Sequence, residues 1–297
     1  MKVLILGGSG MLGHKLWQTF SARFDTYATF RRAPATYARL RIFDEARALG
    51  GVSAENFDSV VRAVAAVRPH AVVNCIGIVK QDAAAKDPLA SITVNALFPH
   101  RLAQLTRAAG ARLIHLSTDC VFSGRKGFYA EGDAPDAGDL YGRTKLLGEV
   151  EGENCLTVRT SMIGRELEGA HGLLEWFLSQ EGGRVRGFRR AVFSGFTTRA
   201  LGDVLARIVG EHTDLSGVRH VAAAPINKFD LLSLIKEVYG LAVEIEPDES
   251  FACDRSLDGS RFRAATGFDA PSWPEMIEGM RDDPTPYNEF RRVHADR

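Results

Sequence analysis

Lys2-Val3-Leu4-Ile5-Leu6-Gly7-Gly8-Ser9-Gly10-Met11-Leu12-Gly13 opens the readable pattern of this chain. An apolar run without polar alternation reads as a strand buried on both faces. It passes straight into glycines, and His14 to Phe20 then continue as a helix. Strand, glycine-rich turn and helix is the setting in which a glycine pattern becomes a phosphate cradle, because backbone N–H groups and the helix start face an anion. Gly7 would allow the tight turn, Gly10 would let the backbone approach a pyrophosphate, and Gly13 would let the helix pack on its strand. The spacing is G-x-x-G-x-x-G. A loop rich in glycine for turning alone is the plainer alternative.

Outward from that stretch, residues 26–30 read as a second strand ending in Arg31-Arg32. A carboxylate at that strand end would hold a ribose 2′-hydroxyl, whereas arginine suits a 2′-phosphate. NADP(H) is therefore expected before NAD(H), which stays admissible; two solvated surface arginines are the alternative. A third strand is expected to end at residues 52–56, before a helix over 57–67. Residues 71–77 form another buried strand, a helix over 87–110 carries Asn95, and 111–117 is again an apolar strand. Buried strands alternating with helices indicate an α/β chain with a Rossmann-like, doubly wound parallel sheet, whose ligands sit beyond the carboxyl ends of the strands. That rule selects Ser117-Thr118-Asp119-Cys120-Val121-Phe122, where a hydroxyl could hydrogen-bond a carbonyl gaining negative charge. For Thr118 a turn or capping role is an equal reading.

Leu140-Tyr141-Gly142-Arg143-Thr144-Lys145 follows a loop rich in Gly, Asp and Pro. On a helix the phenol and the ammonium, four residues apart, share one face. Tyrosine is a poor acid near its usual pKa of ~10, and a neighbouring cation would stabilise the phenolate. An exposed helix pair is the bland alternative.

The 297 residues hold 37 basic and 37 acidic side chains, so no global field argues for nucleic acid or an anionic membrane as partner. No apolar stretch approaches the ~20 residues needed to span a bilayer. Cys75, Cys120, Cys155 and Cys253 have no C-x-x-C spacing and the histidines no H-E-x-x-H, so no metal site is expected. With no signal-peptide pattern at the start, a reducing, cytoplasmic setting is the expectation.

With these residues in hand, the chain resembles the extended short-chain dehydrogenase/reductase superfamily, and within it the dTDP-4-dehydrorhamnose reductase group. The glycine motif, Ser117-Thr118-Asp119-x-Val121-Phe122, Tyr141-Gly142-x-Thr144-Lys145 and Arg159-Thr160-Ser161 appear in that group's order. Weaker echoes follow in Gly217-Val218-x-His220 and Leu257-Asp258-x-Ser260-Arg261. The resemblance implies that Tyr141 donates a proton to a carbonyl oxygen while hydride arrives from a nicotinamide. It implies that Lys145 holds the nicotinamide ribose and lowers the Tyr141 pKa, and that Thr118 orients the carbonyl with Ser117 and Asp119 in support. Gly7, Gly10, Met11, Leu12 and Gly13 would line the pyrophosphate, with Arg31 and Arg32 at the adenosine end. Cys75, Ile76, Gly77, Asn95, Thr160, Ser161 and Ile163 would border the cofactor. Thr118, Asp119, Met162, Phe196 and Thr198 would face the substrate. Three departures fall on the sugar side: Met162 stands where the group commonly has Trp, Gly195-Phe196-Thr197-Thr198 lacks a proline, and residues 165–180 differ from the group pattern.

The implied organisation is an NADP-binding Rossmann domain over 1–160 and a mainly substrate-binding region over 161–297, part of which returns to the first domain. Helices are expected over 172–181, 200–210 and 228–239, and a short strand over 242–245. The arginine-rich run 184–190 could bind a sugar-nucleotide diphosphate or be a solvated loop. Trp176 and Trp273 are expected to pack, and residues 281–297 to be weakly ordered. The expected activity is NADP(H)-dependent reduction of a 4-keto-6-deoxy nucleotide sugar, with a homodimer left open. A nucleotide-sugar epimerase or dehydratase is the competing enzyme reading. A non-catalytic NADP-binding regulatory subunit, like the beta subunit of methionine adenosyltransferase, is the competing non-enzyme reading.

Overall fold

The apolar run becomes β1 (Lys2–Leu6), in which Val3, Leu4, Ile5 and Leu6 are fully buried. Successive strand side chains point to opposite faces. Val3 and Ile5 accordingly join one core, and Leu4 and Leu6 another. In the computed structural model, which describes residues 1–287, the chain continues through α1 (Gly13–Ser21), β2 (Asp25–Thr29), β3 (Ala48–Leu49), α2 (Phe57–Val67) and β4 (Ala71–Asn74). Then come α3 (Pro88–Ser91), α4 (Phe98–Ala108), β5 (Arg112–Leu116), α5 (Leu140–Leu147), β6 (Cys155–Arg159) and the short β7 (Met162–Ile163). The remainder comprises α6 (Leu173–Leu178), β8 (Arg184–Phe188), β9 (Ala191–Phe193), β10 (Phe196–Thr197), α7 (Thr198–Gly210) and β11 (Gly217–His220). It ends with β12 (Ile226–Asn227), α8 (Lys228–Tyr239), β13 (Glu244–Asp248), β14 (Cys253–Asp254), α9 (Ser260–Thr266) and α10 (Trp273–Arg281).

Seven parallel strands form the main sheet in the order β11-β6-β5-β4-β1-β2-β3. The chain steps outward from β1 to β3, then returns to place β4 on the other side of β1, with Val3 opposite both Thr26 and Ala71. That reversal opens a crevice beyond the carboxyl ends of β1 and β4. Helices cover both faces, as a parallel sheet requires. Leu16 and Phe20 of α1 pack with Leu201 and Leu205 of α7 on one face, and Val60 of α2 with Phe98 and Leu102 of α4 on the other. The fold is a doubly wound, Rossmann-like α/β fold. After residue 160 the chain adds three small sheets, β10-β7, β12-β9-β14 and β13-β8, yet sends β11 back to pair with β6.

Several expectations change in detail. The third strand is only Ala48–Leu49, paired at Ala28 and Thr29. Gly51, with φ +71°, turns the chain away, so residues 52–56 form a loop whose Val52 and Ala54 are buried. The helix over 87–110 is interrupted by a π-helical stretch, Ile92–Leu97. Trp273 is buried and donates from Nε1 to the Ala224 oxygen (2.7 Å), but Trp176 is 39% exposed. Arg184 and Arg186 of the basic run lie on β8 beside the acidic β13, pairing with Glu244, Glu246 and Asp248. The segment expected to be weakly ordered begins firmly: Tyr287 is 3% exposed and Thr285 7% exposed against α1. The rest of that expectation, residues 288–297, lies outside the described residues.

Candidate active site

The cradle at the end of β1 is built by close backbone approach. Gly7 takes φ +87°, and its N–H donates to Thr29 Oγ1 (3.2 Å). A Cβ on Gly13 would sit 2.0 Å from the Gly7 oxygen, so only glycine lets α1 start there. No side chain caps α1 at its N-terminus. The His14 N–H turns back to the Gly10 oxygen (3.2 Å), and the neighbouring N–H groups at the positive end of the helix dipole face the cavity side where an anion would sit. From behind, the buried His14 ring binds the Gly10 oxygen through Nδ1 (2.8 Å).

The wall beyond β4 is Cys75, Ile76 and Gly77. Asn74 Oδ1 accepts from the Ile76 N–H (3.1 Å), and Asn95 clamps Ile78 by accepting from its N–H and donating to its oxygen, both at 2.9 Å. Asn95 reaches this position from the π-helical stretch; such insertions re-aim a side chain without ending the helix. It thus supports the wall from behind. Burial pushes the Cys75 thiol up to about 12, which keeps it neutral.

At the end of β5, Thr118 meets the capping reading made of it. Its Oγ1 accepts from the Cys120 N–H (3.1 Å), capping the turn Asp119–Val121, while the residue also lines the cavity. Asp119 accepts from Thr118 Oγ1 (3.3 Å), and burial raises its pKa. Ser117 turns its hydroxyl to Glu149 Oε1 (2.6 Å), and Glu149 forms a two-bond pair with Arg159, 2.7 Å each. Arg159 is thereby committed to a buried ion pair, and Ser117 braces that pair.

Asp139 caps α5 by accepting from the Gly142 N–H (2.8 Å), and its other oxygen pairs with Lys80 Nζ (2.6 Å). A Cβ on Gly142 would lie 2.2 Å from the Cys120 oxygen, so the missing side chain lets α5 press onto the Thr118 loop. Tyr141 and Lys145 consequently face one cavity with Thr118. Lys145 Nζ donates to the Leu116 oxygen (2.6 Å), and burial pulls its pKa down to about 8. The Tyr141 pKa is raised, chiefly by burial and next by the charge of Cys120, with a hydrogen bond to Thr118 acting the other way. Desolvation sets the direction of the Tyr141 shift, and Lys145 is not among the groups that govern it.

One cavity of about 620 Å³ runs from Gly10–Gly13 past Cys75–Gly77, Ser117–Asp119, Tyr141 and Lys145 to Thr160, Ser161, Met162 and Ile163. Gly7 and Asn95 stand behind its lining. Arg31 and Arg32 are exposed outside it, with Arg32 Nη1 3.5 Å from Glu168. Phe196 and Thr198 do not reach it. Phe196 is fully buried against Phe268, and Thr198 packs where a Cβ on Gly164 would fall, so neither position offers a direct substrate contact. Sequence reasoning missed Glu166, His171, Lys228, Phe251 and Arg255, which line the cavity from later elements. The departure over residues 165–180 and the Leu257-Asp258 echo, close to Arg255, were the signals that pointed toward that region.

A family model described as the RmlD substrate binding domain matches residues 1–283. The chain belongs to this family. Half of it is 31% identical, over 153 residues, to the methionine adenosyltransferase 2 subunit beta of Danio rerio, covering 43% of that protein. It is 37% identical over 147 residues (49% of the chain) to the dTDP-4-dehydrorhamnose reductase of Streptomyces griseus, again covering 43% of the relative. The chain thus spans less than half the length of the curated relatives it matches. The dTDP-4-dehydrorhamnose reductase of Bacillus anthracis, solved in complex with NADP, superposes with TM-score 0.76 at 22% identity over 94% of this chain and 98% of that one. At that identity the likeness shows the RmlD-type fold.

Proposed function

We propose that this RmlD-family chain is an NADP(H)-dependent reductase of a 4-keto-6-deoxy nucleotide sugar. One observation carries the reading: Thr118, Tyr141 and Lys145 line the same cavity as the glycine cradle. The cradle fits a dinucleotide because uncapped N–H groups of α1 and the space kept at Gly13 favour a pyrophosphate. Gly10, Met11, Leu12 and Gly13 would hold the phosphates, and Cys75, Ile76, Gly77, Thr160, Ser161 and Ile163 the nicotinamide half. Arg31 and Arg32, at the end of β2, would receive a 2′-phosphate once Arg32 leaves Glu168. Bound there, the cofactor supplies hydride.

The chain's own groups handle the proton. Tyr141 O–H donates to the carbonyl oxygen as that oxygen gains charge, and its raised pKa keeps it protonated at neutral pH, as a general acid must be. Thr118 would donate to the same oxygen, and Lys145 would hold the ribose hydroxyls and stabilise the phenolate left by Tyr141. Met162 and Asp119 would flank the sugar. Supplying TDP- and GDP-linked 4-keto-6-deoxy sugars should oxidise NADPH stoichiometrically; turnover without net NADPH loss would favour an epimerase. Tyr141→Phe should cut kcat roughly 10²–10⁴-fold while NADPH binding survives.

The 31% identity to methionine adenosyltransferase beta subunits favours a second reading, a regulatory subunit that binds NADP(H) without turnover. Retention of Thr118, Tyr141 and Lys145 in one cavity weighs against it, since binding alone needs no proton relay. That reading takes over if every keto sugar is inert and a stoichiometric protein partner co-purifies.

A further inference from the structure

Arg165-Glu166-Leu167-Glu168 sets a single apolar side chain among charges, just after β7. Leu167 is 2% exposed in the core shared by α1 and α7, which pins the segment. Behind it the fully buried Glu175 of α6 accepts at Oε1 from Arg165 Nε (2.8 Å) and from the Glu166 N–H (3.0 Å). Glu166 in turn accepts from the N–H groups of His171 (2.8 Å) and Gly172 (3.2 Å), which closes the segment into a braced loop. The loop lies on the cradle, since a Cβ on Gly172 would sit 2.8 Å from Met11 Cε. Glu168 is carried on this loop, lines the cavity, and has its ion pair across the crevice with Arg32 Nη1 (3.5 Å). Arg32 is as well rooted. Phe30, two residues before it, is 1% exposed; its N–H donates to the Leu49 oxygen (2.8 Å) and its oxygen accepts from the Val52 N–H (3.0 Å).

A 2′-phosphate at the end of β2 needs the guanidinium that Glu168 holds, and it arrives beside a carboxylate. Both effects act against it: an ion pair is given up, and two like charges are brought together. A ribose without the phosphate brings no charge, so the pair can stay closed. The Arg32 and Glu168 side chains are 61% and 31% exposed, so solvent screens these effects to an adjustment rather than a barrier. An exposed pair of this kind is expected to move a dissociation constant by up to about fivefold. Glu168 falls within residues 165–180, where the chain departs from the dTDP-4-dehydrorhamnose reductase pattern, so the carboxylate belongs to this chain's own loop.

We propose that Glu168 sets how strongly this chain prefers a 2′-phosphorylated dinucleotide, by competing with the phosphate for Arg32. Cofactor choice is then decided jointly by the end of β2 and by a loop from the substrate side of the chain. The proposal rests on the dinucleotide reading of the cradle and is independent of which sugar is reduced.

The test titrates the full chain with NADPH and NADH by fluorescence, and with adenosine 2′,5′-bisphosphate and adenosine 5′-monophosphate by calorimetry. Glu168→Gln should tighten NADPH and the bisphosphate by about fivefold. NADH and the monophosphate should stay within about twofold, which also reports an intact fold. Glu168→Lys should tighten the 2′-phosphorylated ligands further. In an Arg32→Gln background, where NADPH is already weakened, the gain from Glu168→Gln should shrink below about twofold. An unchanged NADPH-to-NADH ratio in Glu168→Gln overturns the proposal, and so does a gain undiminished without Arg32. A loss of NADPH affinity in Glu168→Gln also overturns it, by making Glu168 a ligand of the cofactor. A chain that binds neither dinucleotide removes the cofactor reading and this proposal together. If Glu168→Gln shifts the ratio while no keto sugar oxidises NADPH, the reductase reading fails and this one stands.

Discussion

His14 shows how one buried side chain can tie the cradle to a distant part of the chain. Its Nδ1 faces the Gly10 oxygen, so that nitrogen must carry the proton, and Nε2 then accepts from Tyr287 O–H (2.8 Å). Burial favours the neutral ring, lowering its pKa to about 3 from 6.5. The sign follows directly. Above pH 6.5 neither state carries the extra proton; as pH falls toward 3 the unfolded chain takes it up and the folded chain does not, so stability is lost across that window. Glutamine could donate to Gly10 and accept from Tyr287 without titrating. Between pH 6.5 and 4, wild type should therefore lose stability faster than His14→Gln, by on the order of 1 kcal/mol per pH unit in urea melts. Parallel curves would show that the ring is not neutral and buried as described.

At the scale of elements, α5 is positioned by what Gly142 lacks. Gly142→Ala would push a methyl into the Cys120 oxygen, 2.2 Å away, and shift Tyr141 from Thr118. A displacement of this kind should lower kcat by roughly 10–100-fold with NADPH affinity nearly intact. An unchanged kcat would mean that α5 tolerates the shift. The segment after α10 is a second case. Asp283 pairs with Lys15 of α1 with side chains 8% and 5% exposed, and Thr285 Oγ1 accepts from Lys15 Nζ (3.0 Å). Asp283→Ala should cost about 3–5 kcal/mol in chemical unfolding, because it strips a buried ammonium of its charge partner. Lys15→Met combined with Asp283→Leu should recover most of that, and failure to recover would show that the polar contacts with Thr285 dominate. Much of this architecture was legible in order along the sequence. The unbroken apolar run of β1 and the glycines marked the cradle, and residues 57–67 and 228–239 became α2 and α8 with the bounds read from their periodicity. What escaped has physical reasons. β3 is two residues long, the π-helical stretch leaves the apolar pattern of its helix intact, and the Lys15–Asp283 pair joins residues with no local signature. Lys228 and Arg255 were equally silent, since a cation at a helix start or beside a strand reads as a solvated charge until tertiary packing brings it into a cavity.

The whole molecule is a sheet whose last strand comes from the substrate side of the chain. β11 pairs in parallel with β6, Gly217 opposite Leu156 and His220 opposite Arg159, and α7 lies over the same core as α1. A boundary drawn at residue 160 therefore cuts the core. A fragment of residues 1–160 would uncover Ile5, Leu16, Phe20, Leu156 and Val158, which pack in the intact chain with Leu201, Leu205 and Val209. Each buried side chain of this size is worth about 1.5–3 kcal/mol, so losing cover on five removes about 7–15 kcal/mol, comparable to the whole stability of a domain. The free edge of β6 would add an unpaired parallel strand prone to self-association. Saturating NADPH at about 100 times its Kd would return only about 2.7 kcal/mol, which is too little to restore the fold. The fragment should consequently lack a cooperative thermal transition and dispersed amide resonances, with or without NADPH, whereas the full chain should unfold in one transition that NADPH moves upward. A well-dispersed spectrum from residues 1–160 that responds to NADPH would show that the cradle half folds alone, and that β11 and α7 are additions to a self-sufficient domain.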